Sequence, residues 1–148
     1  MPDQQIQCRV ADWSLDKDAL KDIRYRVFVE EQKVPVELEW DEYDDTAIHF
    51  IVTLSGETVA CARLKSDGQI GRMAVLTEYR NQGIGQRLLQ FVLRTAAEKK
   101  LQDVYLHAQV SAIPFYEKQG FTPVGEIFYE ANIPHREMLK KICQDNSY

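Results

Sequence analysis

The stretch Arg80-Asn81-Gln82-Gly83-Ile84-Gly85 stands between a strand-like run, Gln69-Ile70-Gly71-Arg72-Met73-Ala74-Val75, and a helix-like run from Gln86 to Lys100. In that second run Leu88, Leu89, Val92, Leu93 and Ala96 form one apolar stripe, while Arg87, Gln90, Arg94, Glu98 and Lys99 largely take the other side. Asp103-Val104-Tyr105-Leu106-His107-Ala108 then alternates and is rich in strand formers. Strand, helix and returning strand make a right-handed crossover, with the glycine turn at the carboxyl end of the first strand, where a ligand crevice is expected. Glycines at the mouth of a helix let backbone N–H groups face an anion, a geometry that suits a pyrophosphate. Gly83 and Gly85 could equally do no more than shape a tight connection. The third glycine of the dinucleotide fingerprint is missing and no Gly-Lys-Ser/Thr follows, which disfavours classical dinucleotide and nucleoside triphosphate sites.

Toward the amino end, Ile6 to Val10 reads as a strand, followed by a helix starting near Ser14 or Asp16 with Leu20, Ile23, Val27 and Phe28 on its buried side. Pro35 ends any continuation, and residues 37–46 read as a polar loop or a short second helix. Residues 47–54 and 58–64 are strands around Ser55-Gly56-Glu57, and Lys65-Ser66-Asp67-Gly68 turns the chain into the strand that ends at Val75. These make a meander of three antiparallel strands. Toward the other end, residues 122–129 and 136–141 are closing strands joined by Glu130-Ala131-Asn132-Ile133-Pro134-His135.

A chain of 148 residues with 45% hydrophobic content supports one core and a single domain over residues 1–148. No apolar run approaches a secretory or membrane-spanning length, so a soluble, cytoplasmic protein without a membrane partner is expected. Cys8, Cys61 and Cys143 are odd in number and far apart, and His49, His107 and His135 are scattered, so reduced thiols and no metal are expected. The net charge of -5 is unevenly spread: residues 1–60 carry six Lys/Arg against fourteen Asp/Glu, and residues 61–148 carry twelve against nine. With no basic run to release counterions, nucleic acid is not an expected partner. The mildly basic second part is compatible with a phosphorylated cofactor. Residues 30–45 hold eight acids and one lysine, and are either a solvated acidic loop or a field that steers a cationic acceptor.

Arg-x-x-Gly-x-Gly, followed by Ala112-Ile113-Pro114-Phe115-Tyr116-Glu117-Lys118-Gln119-Gly120-Phe121, resembles the paired core motifs of the GCN5-related N-acetyltransferase (GNAT) superfamily. Arg26-Val27-Phe28-Val29-Glu30-Glu31-Gln32-Lys33-Val34-Pro35 with Asp41, and Ile133-Pro134-His135-Arg136-Glu137-Met138, are similar to the small ElaA/YjcF-like subgroup, so the resemblance covers nearly the whole chain.

The resemblance implies an α/β (α+β) fold, a mixed and mostly antiparallel sheet flanked by helices on both faces. It implies acetyl-CoA as cosubstrate, bound by the backbone of Met73, Ala74 and Val75 and by Arg80, Asn81, Gln82, Gly83, Ile84, Gly85 and Gln86. Gln109, a further cofactor-binding residue on this resemblance, stands where many members carry Asn and reaches from a longer arm. Tyr116 would protonate the departing thiolate, and His135, in the loop before the last strand, is a candidate general base, with Glu31 or Glu126 acting through water, or a water chain alone, as alternatives. The implied activity is direct acetyl transfer to a primary amine of a small molecule in a ternary complex. The alternative is a non-catalytic acyl-CoA-binding or sensing module. A homodimer through exposed sheet edges is a further expectation.

Overall fold

In a computed structural model of the protein residues 5–142 are described, and the expectation for Cys143 lies outside them. The strands are β1 (Ile6–Val10), β2 (Ile48–Leu54), β3 (Glu57–Leu64), β4 (Gln69–Val75), β5 (Asp103–Gln109), β6 (Thr122–Glu130) and β7 (Ile133–Lys141). They form one seven-stranded sheet in the order β1-β2-β3-β4-β5-β7-β6. Every neighbouring pair is antiparallel except β4 and β5, which the crossover makes parallel. The helices are α1 (Trp13–Arg24), α2 (Val36–Glu39), α3 (Ile84–Glu98) and α4 (Ile113–Lys118).

Strand alternation divides the apolar side chains between two cores. On one face Leu88, Leu89, Val92 and Ala96 of α3 pack on Phe50, Val52, Ala60, Ala62, Val104 and Leu106. On the other, Leu20, Ile23 and Val27 pack on Ile51, Cys61, Ala74 and Leu76. Helix α3 starts earlier than its periodicity indicates, so Ile84 and Gly85 belong to its first turn. Cys8 and Cys61 are free thiols, and burial pushes the Cys61 thiol up to about 12, which makes it an inert core residue.

The chain does not leave its helical path at Arg24. It widens into π-helical turns over Tyr25–Glu31, with the Gln32 N–H donating to the Val27 carbonyl at 3.0 Å, until Lys33 at φ 65 breaks the path before Pro35. At the carboxyl end the expected loop between the closing strands contracts to Ala131 and Asn132, at φ 50 and 65, the left-handed pair of a tight hairpin turn. His135 therefore lies in β7 and not in a loop. Among the described residues no helix is long and apolar enough to cross a membrane.

Neither reading of the acidic segment survives intact. Glu37, Glu42 and Asp45 are exposed, but Glu39 and Asp44 are buried and Asp41 is partly so. Arg24 donates from Nε to Glu39 Oε2 at 2.8 Å and from Nη1 to Asp44 Oδ1 at 2.9 Å. Arg63 Nη1 bridges Asp41 Oδ1 at 2.7 Å and Asp44 Oδ1 at 3.0 Å. Arg72 adds Glu39 Oε2 at 3.0 Å and Asp41 Oδ2 at 3.1 Å. Three carboxylates and three guanidiniums thus neutralise one another under α1, where an unpaired charge would be very costly. Burial pushes the Asp44 carboxyl up, but the hydrogen bond and charge of Arg24, then those of Arg63, outweigh it and hold that carboxyl below its usual range.

Candidate active site

Strand β4 is not a regular strand. Arg72 has φ 48, a left-handed conformation that is uncommon for a residue with a side chain, and the β3–β4 register shifts between Cys61 and Arg63. Such a bulge bends its strand. Pairing of β4 with β5 accordingly stops after Gln69↔Tyr105 and Ile70↔Leu106. Beyond that point the edge of β4 from Gly71 to Val75 has no strand partner on the β5 side among the described residues, and a wedge opens between the two strands. The Arg72 side chain holds the bulge down, because its Nε and Nη2 also donate to the Glu39 carbonyl at 3.1 and 3.0 Å. The buried ion network is therefore attached to the strand that carries Met73, Ala74 and Val75.

The glycine loop closes onto the same strand. Asn81 and Gly83 are left-handed, at φ 63 and 83, and Gly83 precedes α3 with no side chain capping the helix. The contrast with α1 is direct: there the Asp12 carboxylate accepts from the Ser14 and Leu15 N–H groups. The first turn of α3 has no acidic residue and no such cap, which leaves its N–H groups and dipole available to an anion. An added Cβ at Gly83 would meet nothing within 4 Å, so glycine is required there by its backbone angle and not by crowding. At Gly85 an added Cβ would lie 3.7 Å from Phe115 Cζ, 3.8 Å from Val75 Cγ2 and 3.9 Å from Met73 Cε, which ties the helix mouth to β4 and α4.

Tyr116 joins this group from α4. Its hydroxyl faces Met73 Sδ at 3.8 Å, a weak acceptor, and its ring meets Phe115 and Phe121 edge-on. Desolvation pushes the phenol up to about 12, so it is protonated at neutral pH and has a poor acceptor for its proton. Met73, Val75, Gly85 and Tyr116 are thus brought together.

Other expected residues are engaged elsewhere. Arg80 donates from Nε to the Val75 carbonyl at 2.8 Å and from both terminal nitrogens to Glu31 at 2.7 Å, so that carbonyl and that guanidinium are mutually satisfied. The Arg80 hydrogen bonds also hold the Glu31 carboxyl below its usual range, which makes it a poor proton acceptor. Gln82 reaches the Glu78 carbonyl at 3.3 Å. Gln109 donates to Gln32 Oε1 at 2.8 Å, joining the end of β5 to the end of the π-helical turns. His135, buried in β7, donates from Nδ1 to the Ile133 carbonyl at 2.7 Å. Glu126 is exposed in the irregular part of β6.

Residues 14–142 match the model of the acetyltransferase (GNAT) domain, and the chain belongs to that family of acyltransferases. Within it the chain is similar to the ElaA/YjcF-like members. It is 34% identical over 132 residues to the uncharacterized N-acetyltransferase YjcF of Bacillus subtilis, covering 84% of this chain and 94% of that one. It is 36% identical over 134 residues to the protein ElaA of Escherichia coli, covering 85% and 88%. The crystal structure of an acyl-CoA N-acyltransferase from Pseudomonas aeruginosa superposes with a TM-score of 0.81 at 33% identity, over 93% of this chain and 99% of that one.

Proposed function

We propose that the protein transfers an acetyl group from acetyl-CoA to a primary amine on a small molecule, by direct attack within a ternary complex. The observation that carries this reading is the juxtaposition on β4 of an unpartnered strand edge with an uncapped helix mouth. Apart from the Val75 carbonyl, which Arg80 occupies, the edge from Gly71 to Val75 offers backbone groups to an extended amide-bearing arm, as a missing strand would. The N–H groups of Ile84, Gly85 and Gln86 then lie at the end of that arm to receive the pyrophosphate, with Asn81, Gln82 and Gly83 shaping the approach. The Arg80 side chain positions the loop, since it binds Val75 and Glu31.

Within that frame Tyr116 supplies the proton that the departing thiolate needs. The burial of the Cys61 thiol, and the lack of a nucleophile–base pair at the helix mouth among the described residues, favour direct attack over a covalent enzyme intermediate.

Turnover of acetyl-CoA against a broad panel of primary amines, read as released thiol, tests the reading. Amine-dependent thiol release with intersecting initial-rate plots is expected. Tight acetyl-CoA binding without amine-dependent release would replace it by the non-catalytic acyl-CoA-binding module.

A further inference from the structure

The face of β5, β7 and β6 opposite α3 carries a second group of chemical side chains. Val104, Leu106 and Ala108 point into the α3 core, so Tyr105, His107 and Gln109 point the other way, toward the side where Gln32 follows α1. His107 is the first β5 residue beyond the last β4–β5 pair, which places it at the apex of the wedge. Its Nδ1–H donates to Glu130 Oε2 at 3.0 Å, since a carboxylate can only accept. In the neutral ring that bond places the proton on Nδ1 and the lone pair on Nε2, which has Glu137 Oε1 at 3.9 Å. The Phe128 ring packs edge-on against the imidazole at 5.1 Å, and Tyr105 lies at 6.1 Å. His135 points Nε2 at the other Glu130 oxygen at 3.9 Å, but it is more buried than His107, at 10% against 28% side-chain exposure.

We infer that His107, oriented by Glu130, takes the proton from the acceptor ammonium, and that Glu130 and Glu137 draw the cation to it. This rests on the acetyl-transfer reading above. A carboxylate-held imidazole with one open nitrogen is the arrangement a general base requires. Its place on the sheet face opposite Tyr116 lets base and acid act on opposite sides of the reacting carbon. The ammonium gives one proton to His107 Nε2, from which it passes to solvent. The amine lone pair forms the C–N bond, and the electron pair of the breaking C–S bond stays on sulfur, which takes the Tyr116 proton. The surplus proton on the new amide nitrogen leaves by the same His107 Nε2 to solvent, and a proton from solvent restores the tyrosine hydroxyl. The favoured acceptor is an amine carrying no carboxylate beside its ammonium, because Glu130 and Glu137 would repel one.

Two amines of similar size separate this role from a structural one: n-propylamine, protonated at neutral pH, and trifluoroethylamine, largely neutral there. In His107→Gln, kcat/KM for n-propylamine should fall by roughly 10²-fold or more while that for trifluoroethylamine falls by less than about tenfold. Glu130→Gln should show the same selectivity with a smaller loss, and both variants should bind acetyl-CoA as the parent does by calorimetry. Equal losses on the two amines, or none, would overturn the assignment of His107 and leave acetyl transfer standing. A parent protein that binds acetyl-CoA and acetylates neither these two amines nor any other primary amine of the broad panel would overturn the transfer reading, and this assignment with it.

Discussion

Asp44→Asn removes one charge from the buried network while keeping its shape. In the parent, Asp44 Oδ1 receives Arg24 Nη1 at 2.9 Å and Arg63 Nη1 at 3.0 Å, and Oδ2 receives Arg24 Nη2 at 3.3 Å. An amide can keep its oxygen at the shared position, but its NH₂ then faces the Arg24 guanidinium. Removing one partner of a buried pair costs about 3–5 kcal/mol. The low end applies, because Arg24 keeps Glu39 and Arg63 keeps Asp41. With a urea dependence of about 1.5–2 kcal/mol per molar, a loss of about 3 kcal/mol lowers the unfolding midpoint by about 1.5–2 M. Trp40, whose ring lies 5.0 Å from Arg24 Cζ, provides a local fluorescence signal beside far-ultraviolet circular dichroism. The pH dependence follows from the sign of the shift. The native Asp44 carboxyl titrates below its unfolded value, so its stabilisation is complete above that value, roughly pH 4, and is lost as pH falls through the native one. The gap between parent and variant should therefore hold from neutral to mildly acidic pH and close in stronger acid. A midpoint shift under about 0.3 M at neutral pH, or a gap that ignores acid, would refute the argument that these charges hold α1 and the β4 bulge together.

Tyr116→Phe should leave stability and acetyl-CoA affinity nearly unchanged, because the hydroxyl has only a thioether at 3.8 Å as partner. Its kcat should fall by about 10²-fold, the low end for general-acid catalysis, since a phenol pushed up to about 12 is a reluctant donor; unchanged single-turnover chemistry would remove the tyrosine from the mechanism. In Gly83→Val the added Cβ meets no neighbour but the residue must adopt φ 83, so about 1–2 kcal/mol of stability should be lost and acetyl-CoA should bind more weakly; a parental Kd by calorimetry would contradict the loop's role.

The sheet was legible wherever one local pattern decided the matter. Ile6 to Val10 alternates, Leu88 to Ala96 repeats at helical spacing, and both became the elements those patterns require. The winding after Arg24 was not legible, because a π-helical turn and an α-helical one bury nearly the same residues, here Val27 in either case. The ion network failed to declare itself for a different reason. Arg24, Arg63 and Arg72 lie on a helix and two strands, each looking like an ordinary surface cation, and only the tertiary fold sets them against Glu39, Asp41 and Asp44. The one available signal was the surplus of acids in residues 30–45, which had to meet cations if any of that segment was buried. His107 was hidden likewise: an alternating strand shows which residues share a face, but not that the face abuts a wedge or that Glu130 turns back to meet it. His135 was misplaced because its proline neighbour suggested a loop, whereas Pro134 is accommodated in β7 opposite Tyr129.

The wedge between β4 and β5 bears on how such a protein can diversify. On the proposed assignment the helix mouth and Tyr116 belong to the α3 side, and His107, Glu130 and Glu137 to the other. Glu130 also sits at the tip of a hairpin whose turn, Ala131-Asn132, is the kind of surface segment that tolerates exchange. Substitutions there can alter which amines are accepted without touching the residues that hold the acyl donor. Selection for a new acceptor can thus proceed on one side of the sheet while the other stays under constant demand, and the two sets of residues should drift at different rates.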